Sequence, residues 1–324
     1  MRLGLLDVGS SAARLDLVDL NAGRPRANWS HKARTRLAEH TDPDGAVSAD
    51  GIERTGLAVE ECVKAAGTDL PRFVVAYGTS AVRDAANSAE IRRRISDAAG
   101  VQTGVFSPRS EAALSYHAAR RWAGPSEGRL TTVDIGGGTA DVATGKQEYP
   151  RKVLTVPFGA ATLSREHVVS DPPREEEFRA LVDAVASTVP DAFASVAGSD
   201  LGRPLALSTV FRQLAVLTES GHRKRIRRPE RLHRHKVAAW IPHLAALDHE
   251  QRVALPGISR TRSYRALAGS VLAEAMLRVL DLDTVEICPW GLREGLVLRF
   301  LEAYEQESKR PRRAVRAAAD HILS

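Results

Sequence analysis

Thr132-Val-Asp-Ile-Gly-Gly-Gly-Thr-Ala-Asp-Val142 opens with a β-branched run, Thr132 to Ile135, that carries an acid near its end and reads as a buried strand. Gly136, Gly137 and Gly138 follow as a turn without Cβ atoms, and Asp141-Val142-Ala143 returns as a second strand. Such a turn lets backbone N–H groups come close to an anion. Asp134 at the strand end is placed to hold a cation or a water beside that anion. Taken alone, the same glycines serve equally well as an ordinary hairpin turn.

The chain repeats this stretch near its start. Leu5-Leu-Asp-Val-Gly-Ser-Ser-Ala-Ala-Arg-Leu15 aligns with it, so that Asp7 falls on Asp134, Gly9 on Gly136 and Ala13 on Ala140. Two copies so far apart suggest two similar half-domains, each offering one phosphate-gripping hairpin. Paired hairpins of this kind resemble the arrangement of the actin-like phosphotransferases, in which they face each other across a cleft. The fold class expected is therefore α/β, with two ribonuclease-H-like (actin-like) domains and a cleft between them.

A chain of 324 residues with 43% hydrophobic content can bury two cores. No apolar run approaches the ~20 residues needed to cross a bilayer, so no membrane partner is expected. The first residues enter a strand and a glycine turn and do not follow a signal-peptide pattern. Cys62 and Cys288 are too few and too far apart for a disulfide framework, which makes a reducing cytoplasm the default location. The formal net charge of +6 admits a polyanionic partner or simply a basic surface.

Along the chain, Ser48 opens a helix running from Ile52 to Ala66, and Phe73 to Tyr77 is a buried strand. Thr79 and Ser80 can cap the helix that follows, with Arg83 one turn in, so hydroxyls, N–H groups and a guanidinium could converge on a phosphate. Ser107 is the N-cap and Pro108 the first residue of the next helix, which places Glu111 in its first turn, where a carboxylate suits the helix dipole. The Pro/Gly-rich link Trp122 to Gly128 marks a domain boundary. The expected division is residues 1–122, residues 123–300, and a basic helical tail over 301–324.

The most basic segment is Gly221 to Lys236, which includes Arg223, Lys224, Arg225, Arg227 and Arg228 against the single acid Glu230. It lacks the interleaved aromatics that stack bases, which argues against nucleic acid. A track for a long inorganic polyanion needs charge without stacking, and this segment matches that requirement.

Taken together, these motifs resemble the exopolyphosphatase/guanosine pentaphosphate phosphohydrolase (Ppx/GppA) family, in the same order along residues 1–303. The D-x-G-S-N-S-x-R-L opening appears at Asp7 to Leu15. T-S-A-x-R-x-A-x-N is complete from Thr79 to Asn87, and G-L-R-E-G is complete from Gly291 to Gly295. S-G-x-E-E-A-R-L becomes Ser107 to Leu114, and D-I-G-G-G-S-x-E becomes Asp134 to Asp141. The resemblance implies a phosphoanhydride hydrolase in which Glu111 activates water, with Asp141 as a second catalytic carboxylate. It implies Mg²⁺ or another divalent cation on Asp134, Asp141 and Asp7. Phosphate oxygens would be gripped by Gly9, Ser10, Ser11, Arg83, Gly136, Gly137, Gly138 and Thr139. The implied substrate is inorganic polyphosphate or a guanosine polyphosphate, and the resemblance also admits a homodimer. Departures from the pattern are Ser11 for Asn, Ser110 for Glu, Ala113 for Arg, Asp141 for Glu and Thr162 for Arg. In addition, Tyr264-Arg265 stands where R-A-D-V-I-x-A-G has Asp-Val. These leave low activity or a binding-only regulator as alternatives.

Overall fold

The computed structural model describes all residues except 23–24, 43, 125, 220–229, 308–310 and 324. In chain order the first elements are strands β1 (Arg2–Val8), β2 (Ala13–Asp19) and β3 (Ala27–Ala33), helix α1 (Ala49–Ala66) and strand β4 (Val74–Gly78). Helices α2 (Ser80–Arg83) and α3 (Ser88–Ala99), strand β5 (Thr103–Val105) and helix α4 (Pro108–Ala123) follow. Then come strands β6 (Leu130–Ile135), β7 (Ala140–Gly145) and β8 (Lys152–Val156), helices α5 (Ala160–His167) and α6 (Glu175–Phe193), and strand β9 (Arg203–Ala206). The chain continues with α7 (Thr209–Glu219), β10 (Arg231–His233), α8 (Arg234–Ala246), α9 (His249–Val253), α10 (Ala266–Val279) and β11 (Thr284–Ile287). It ends with α11 (Leu292–Gln306) and α12 (Pro311–Leu323).

These elements form two compact units: residues 1–111 with 292–324, and residues 112–291. The first is built on a five-stranded sheet in the order β3-β2-β1-β4-β5, the second on a six-stranded sheet in the order β10-β11-β9-β6-β7-β8. In each, an antiparallel meander (β1-β2-β3 or β6-β7-β8) continues through its first strand into parallel pairing with a later one (β4 or β9). The repeat seen in the sequence is therefore a repeat of topology. Within the hairpins the register is identical: Asp7 pairs with Arg14 and Val8 with Ala13, just as Asp134 pairs with Asp141 and Ile135 with Ala140.

The periodicity of each segment explains its burial. β1 turns Leu3, Leu5, Leu6 and Val8 into the interior, and α1 packs on the sheet through Ile52, Val59 and Cys62, capped by Ser48 Oγ accepting from Gly51 N at 3.2 Å. In the second unit Val133, Ile135 and Val142 of the hairpin meet Leu181, Val185 and Val189 of α6 and the almost wholly buried α10. Among the described residues no helix is long and apolar enough to cross a membrane.

The domain boundary differs from the one expected at the Trp122–Gly128 link: the chain divides between Glu111 and Ala112, inside α4. The reason is packing. Tyr116 and Ala119 join Leu130, Ala143, Leu205 and Cys288 in a core of the second unit, and Arg120 donates to the carbonyls of Glu127, Gly128 and Gly145 at 2.9–3.0 Å. Residues from Leu292 onward, expected in the second domain and a separate tail, belong to the first unit. Arg293 Nη1 there donates to Asp16 Oδ2 at 3.0 Å, and the Tyr304 hydroxyl to Asn21 Oδ1 at 2.8 Å.

Candidate functional site

Each unit presents one glycine-containing hairpin loop, and both loops are fixed in the same way. In the first unit Gly9 N donates to Ala12 O at 3.0 Å and closes the loop. The carbonyl of Gly9 accepts from Thr35 Oγ1 at 2.9 Å, that of Ser10 from Ala38 N at 3.1 Å, and that of Ser11 from Thr35 N at 3.2 Å. In a trans peptide the N–H points opposite to the C=O. Three successive carbonyls held by the 35–38 turn therefore aim the amides of Ser10, Ser11 and Ala12 to the other side, the geometry of an anion-binding nest.

In the second unit Gly136 N donates to Thr139 O at 2.8 Å, and α5 supplies the anchor. Gly136 O accepts from Ala160 N at 3.0 Å, and Gly137 O accepts from Ala161 N at 3.0 Å and Thr162 N at 3.1 Å. The amides of Gly137 and Gly138 consequently face away from α5. The first N–H groups of α5, which lack partners inside the helix, are satisfied by the loop. Gly159 makes this contact feasible, because a Cβ there would stand 2.5 Å from Gly136 O and 2.7 Å from Gly137 C. Neither Thr35 nor this role of Gly159 was foreseen as part of the site. The one sequence signal is the Gly159-Ala160 pair, which reads as a further glycine approach to the cleft but does not name the hairpin as its partner.

The carboxylates divide between the units. In the second, Asp134 and Asp141 are direct cross-strand partners and share a face of the sheet. Asp141 is buried and takes Thr155 Oγ1 on Oδ1 at 2.6 Å and Thr139 Oγ1 on Oδ2 at 3.4 Å. Two carboxylates placed opposite each other repel unless a cation or donors lie between them, and an all-oxygen set of this kind suits a hard divalent ion. The donor chemistry thus fits a hard divalent cation.

Asp7 and Glu111 belong to the first unit. Burial raises the Asp7 carboxyl to about 6; the Arg293 cation opposes the rise, Glu111 and Asp16 add to it, and Arg14 opposes it. Glu111 lies in the first turn of α4 behind the cap that Ser107 Oγ provides to Ser110 N at 3.1 Å, as the sequence implied. Arg83 Nη1 donates to Glu111 Oε2 at 2.9 Å and to Phe106 O at 3.2 Å. Its Nε and Nη2 grip Asp84 at 2.7 and 2.9 Å. Arg83, expected to neutralise phosphate, is thus engaged in orienting Glu111. Burial works against the Arg83 cation, but Asp84 and Glu111 outweigh it and raise its pKa. Thr79 occupies the N-cap position of α2 without a side-chain capping bond.

The structure therefore gathers Asp7, Gly9, Ser10, Ser11, Arg83 and Glu111 in the first unit, and Asp134, Gly136, Gly137, Gly138, Thr139 and Asp141 in the second. The expected polyanion track, Arg223, Lys224, Arg225, Arg227 and Arg228, lies outside the described residues.

Comparison with known proteins gives a consistent answer. The model of the Ppx/GppA phosphatase family matches residues 19–304. Exopolyphosphatase 1 of Mycobacterium tuberculosis is 38% identical over 311 residues, covering 94% of this chain and 89% of that protein. The guanosine-5'-triphosphate,3'-diphosphate pyrophosphatase of Vibrio atlanticus is 24% identical over 311 residues, 95% of this chain but 61% of that longer protein. Among solved structures, an exopolyphosphatase from Cytophaga hutchinsonii matches 93% of this chain and 98% of its own, with a TM-score of 0.80 at 20% identity. The Aquifex aeolicus Ppx/GppA family member matches 93% and 98% with a TM-score of 0.74 at 24% identity. The structural likenesses carry the fold, and the family match together with the mycobacterial relative carries the lineage: this chain belongs to the Ppx/GppA phosphatase family.

Proposed function

We propose that this chain is an exopolyphosphatase that hydrolyses the terminal phosphoanhydride of inorganic polyphosphate and releases orthophosphate. The observation that carries the reading is the 38% identity to exopolyphosphatase 1 over 94% of the chain, combined with both hairpin loops and Glu111 standing in ordered surroundings. Guanosine pentaphosphate is the second reading, favoured by the weaker similarity to the guanosine-5'-triphosphate,3'-diphosphate pyrophosphatases.

Glu111 is the general base in this reading. Arg83 holds its carboxylate through Oε2 at 2.9 Å, and the first turn of α4 fixes its backbone, so a water proton is accepted at a positioned oxygen. Anhydride cleavage loads negative charge onto the equatorial and leaving oxygens, where catalysis is mostly positioning and electrostatics. In this reading such oxygens are met by the amides of Ser10 and Ser11 on one hairpin and of Gly137 and Gly138 on the other, each of which the captured carbonyls turn away from its own anchor. Asp134 and Asp141 would hold a divalent cation, with Thr155 fixing the orientation of Asp141. A divalent cation such as Mg²⁺ held there would supply charge neutralisation to the phosphate oxygens.

The test is phosphate release from polyphosphate and, separately, from guanosine pentaphosphate, with Mg²⁺, for the wild type and Glu111→Gln. Faster turnover of polyphosphate and a loss of at least ~10²-fold in Glu111→Gln is the expected result. Release unchanged by that substitution removes Glu111 from its role. Tight polyphosphate binding without release under any divalent metal would make the chain a binding regulator instead.

A further inference from the structure

In the first unit two polar groups stand side by side without partners. In the parallel pairing of β1 and β4, Asp7 is the register partner of Tyr77, so their side chains project from the same face of the sheet. Tyr77 is 0% exposed, and its hydroxyl has no hydrogen-bond partner. Among the described residues the Asp7 carboxylate has none either. A donor without an acceptor thus neighbours an acceptor without a donor. Buried polar groups in native proteins are almost always bonded, and an exception calls for a physical reason.

The surroundings narrow what this hydroxyl can serve. Asp16, the neighbouring acid on β2, is already engaged: its Oδ1 accepts from Arg14 Nε at 2.8 Å and its Oδ2 from Arg293 Nη1 at 3.0 Å. Burial pushes the Tyr77 phenol well above its ordinary value; Asp7 is the strongest charge acting on it and adds to the rise, Arg293 opposes it, and Asp16 and Glu294 add to it. The phenol therefore stays protonated and remains a donor. The ring has no need of its hydroxyl for packing. It meets Phe106 edge-on, with centroids 5.1 Å apart at 63°, and the carbonyl of Phe106 takes Arg83, which orients Glu111. Phenylalanine at position 77 would keep that contact and spare the cost of an unsatisfied buried hydroxyl. The chain carries the cost beside the strand-end acid of its hairpin, and a group kept at the expense of stability in such a place points to function.

We infer that Tyr77 is a positioning residue of the hydrolytic site: in the substrate-bound protein its hydroxyl donates to the Asp7 carboxylate and fixes the orientation of that acid. The inference rests on the exopolyphosphatase reading, in which Asp7 belongs to the reacting site, and deepens it by assigning the group that holds Asp7. Tyr77 is too deeply buried to touch substrate, so it acts through Asp7 alone. A donor set in place before the reaction costs no reorganisation when charge develops, which is what an unsatisfied hydroxyl waiting beside a carboxylate provides.

The test compares wild type with Tyr77→Phe in phosphate release from polyphosphate with Mg²⁺ and in thermal unfolding with chelator present. The expected result is a fall in kcat of roughly 10–100-fold with KM within about threefold, the size of one hydrogen bond to a charged group. The same variant should unfold at the wild-type temperature or above it. Unchanged kcat overturns the proposal, and so does a loss of kcat accompanied by a lower unfolding temperature, which would mark the hydroxyl as merely structural. In the Asp7→Asn background, Tyr77→Phe should change the residual release by less than about threefold, because the group it acts through is already gone. A full loss in that background would mean that the hydroxyl acts through another residue, and would also overturn the proposal. Guanosine pentaphosphate is assayed alongside: if wild type turns over only that nucleotide, the exopolyphosphatase reading falls, and the same comparison on the nucleotide decides Tyr77. Release from neither substrate overturns both.

Discussion

Replacing Asp7 by Asn should make the first unit more resistant to unfolding at neutral pH and leave it no more resistant in acid. Burial, with Glu111 and Asp16 nearby, raises the Asp7 carboxyl from 3.8 to about 6 in the folded chain. The folded state therefore holds this proton more tightly than the unfolded state does. Below pH ~4 the carboxyl is protonated in both states and contributes nothing to the balance. As pH rises from ~4 to ~6 the unfolded chain ionises first, so stability falls. Above pH ~6 the full penalty applies, about 3 kcal/mol for a shift of roughly two units at 1.36 kcal/mol each.

Asn keeps the shape and cannot ionise. Any fixed cost of the amide is the same at every pH, so the informative quantity is the change with pH in the difference between the two proteins. Urea unfolding followed at pH 4, 5, 6 and 7.5, with chelator present to keep divalent cations off the carboxylates, measures it. The stability of Asp7→Asn relative to wild type should climb by about 3 kcal/mol across that range. Parallel pH profiles for the two proteins would refute the argument, because they would mean that Asp7 titrates alike in both states. Phosphate release by Asp7→Asn should be lost even as its stability rises, the signature of a charge kept at a cost for function.

Four further outcomes follow from the site. Gly159→Ala places a Cβ 2.5 Å from Gly136 O, so the hairpin loop must shift; kcat/KM should fall about 10²-fold or more, with a stability loss of only ~1–3 kcal/mol by calorimetry. Thr155→Val removes the hydroxyl that holds Asp141 Oδ1 at 2.6 Å and should raise the Mg²⁺ concentration for half-maximal activity ~10–100-fold, with little change at saturating metal. Thr35→Val removes the donor to Gly9 O at 2.9 Å in a fully buried position, which should cost ~1–3 kcal/mol of stability in urea and raise KM. Arg83→Gln and Glu111→Gln should be strongly non-additive in kcat, since one orients the other; strictly multiplicative losses would uncouple them.

What could be read from the sequence was whatever local pattern fixes. Ser48, Ser107 and Pro108 marked helix starts because capping is a matter of a few adjacent atoms. The repeat predicted the hairpin register because a two-residue period allows no slip without turning apolar side chains outward. What could not be read was long-range choice. The amphipathic face of α11 says that the helix buries something, but not that Arg293 finds Asp16 in the first unit. Arg83 carried a legible charge, but its partner was decided by the return of the chain at Phe106 and Glu111. A lone Thr35 carries no motif, and its importance exists only once the loop of Gly9 lies beside it.

The two hairpins also show how one device can be divided between two tasks. Their backbones agree in register and in turning loop carbonyls inward so that amides face outward, yet the anchors are unrelated: the 35–38 turn in the first unit and the start of α5 in the second. The cross-strand partner of the strand-end acid has diverged as well. Asp7 stands opposite Arg14, which is itself drawn to Asp16 at 2.8 Å, while Asp134 stands opposite a second acid, Asp141. A cation is therefore better satisfied on the second hairpin, where two acids stand opposite each other, than on the first, where the acid stands opposite an arginine. If so, exchanging the partners should move the metal requirement. Asp141→Arg should abolish tight Mg²⁺ binding by calorimetry, whereas Arg14→Asp should leave the affinity of the second unit's site within about twofold, because the carboxylates that form it are untouched. An equal loss of affinity in both variants would mean that the two acids opposite Arg14 and Asp141 contribute alike, and the division of labour argued from their partners would be wrong.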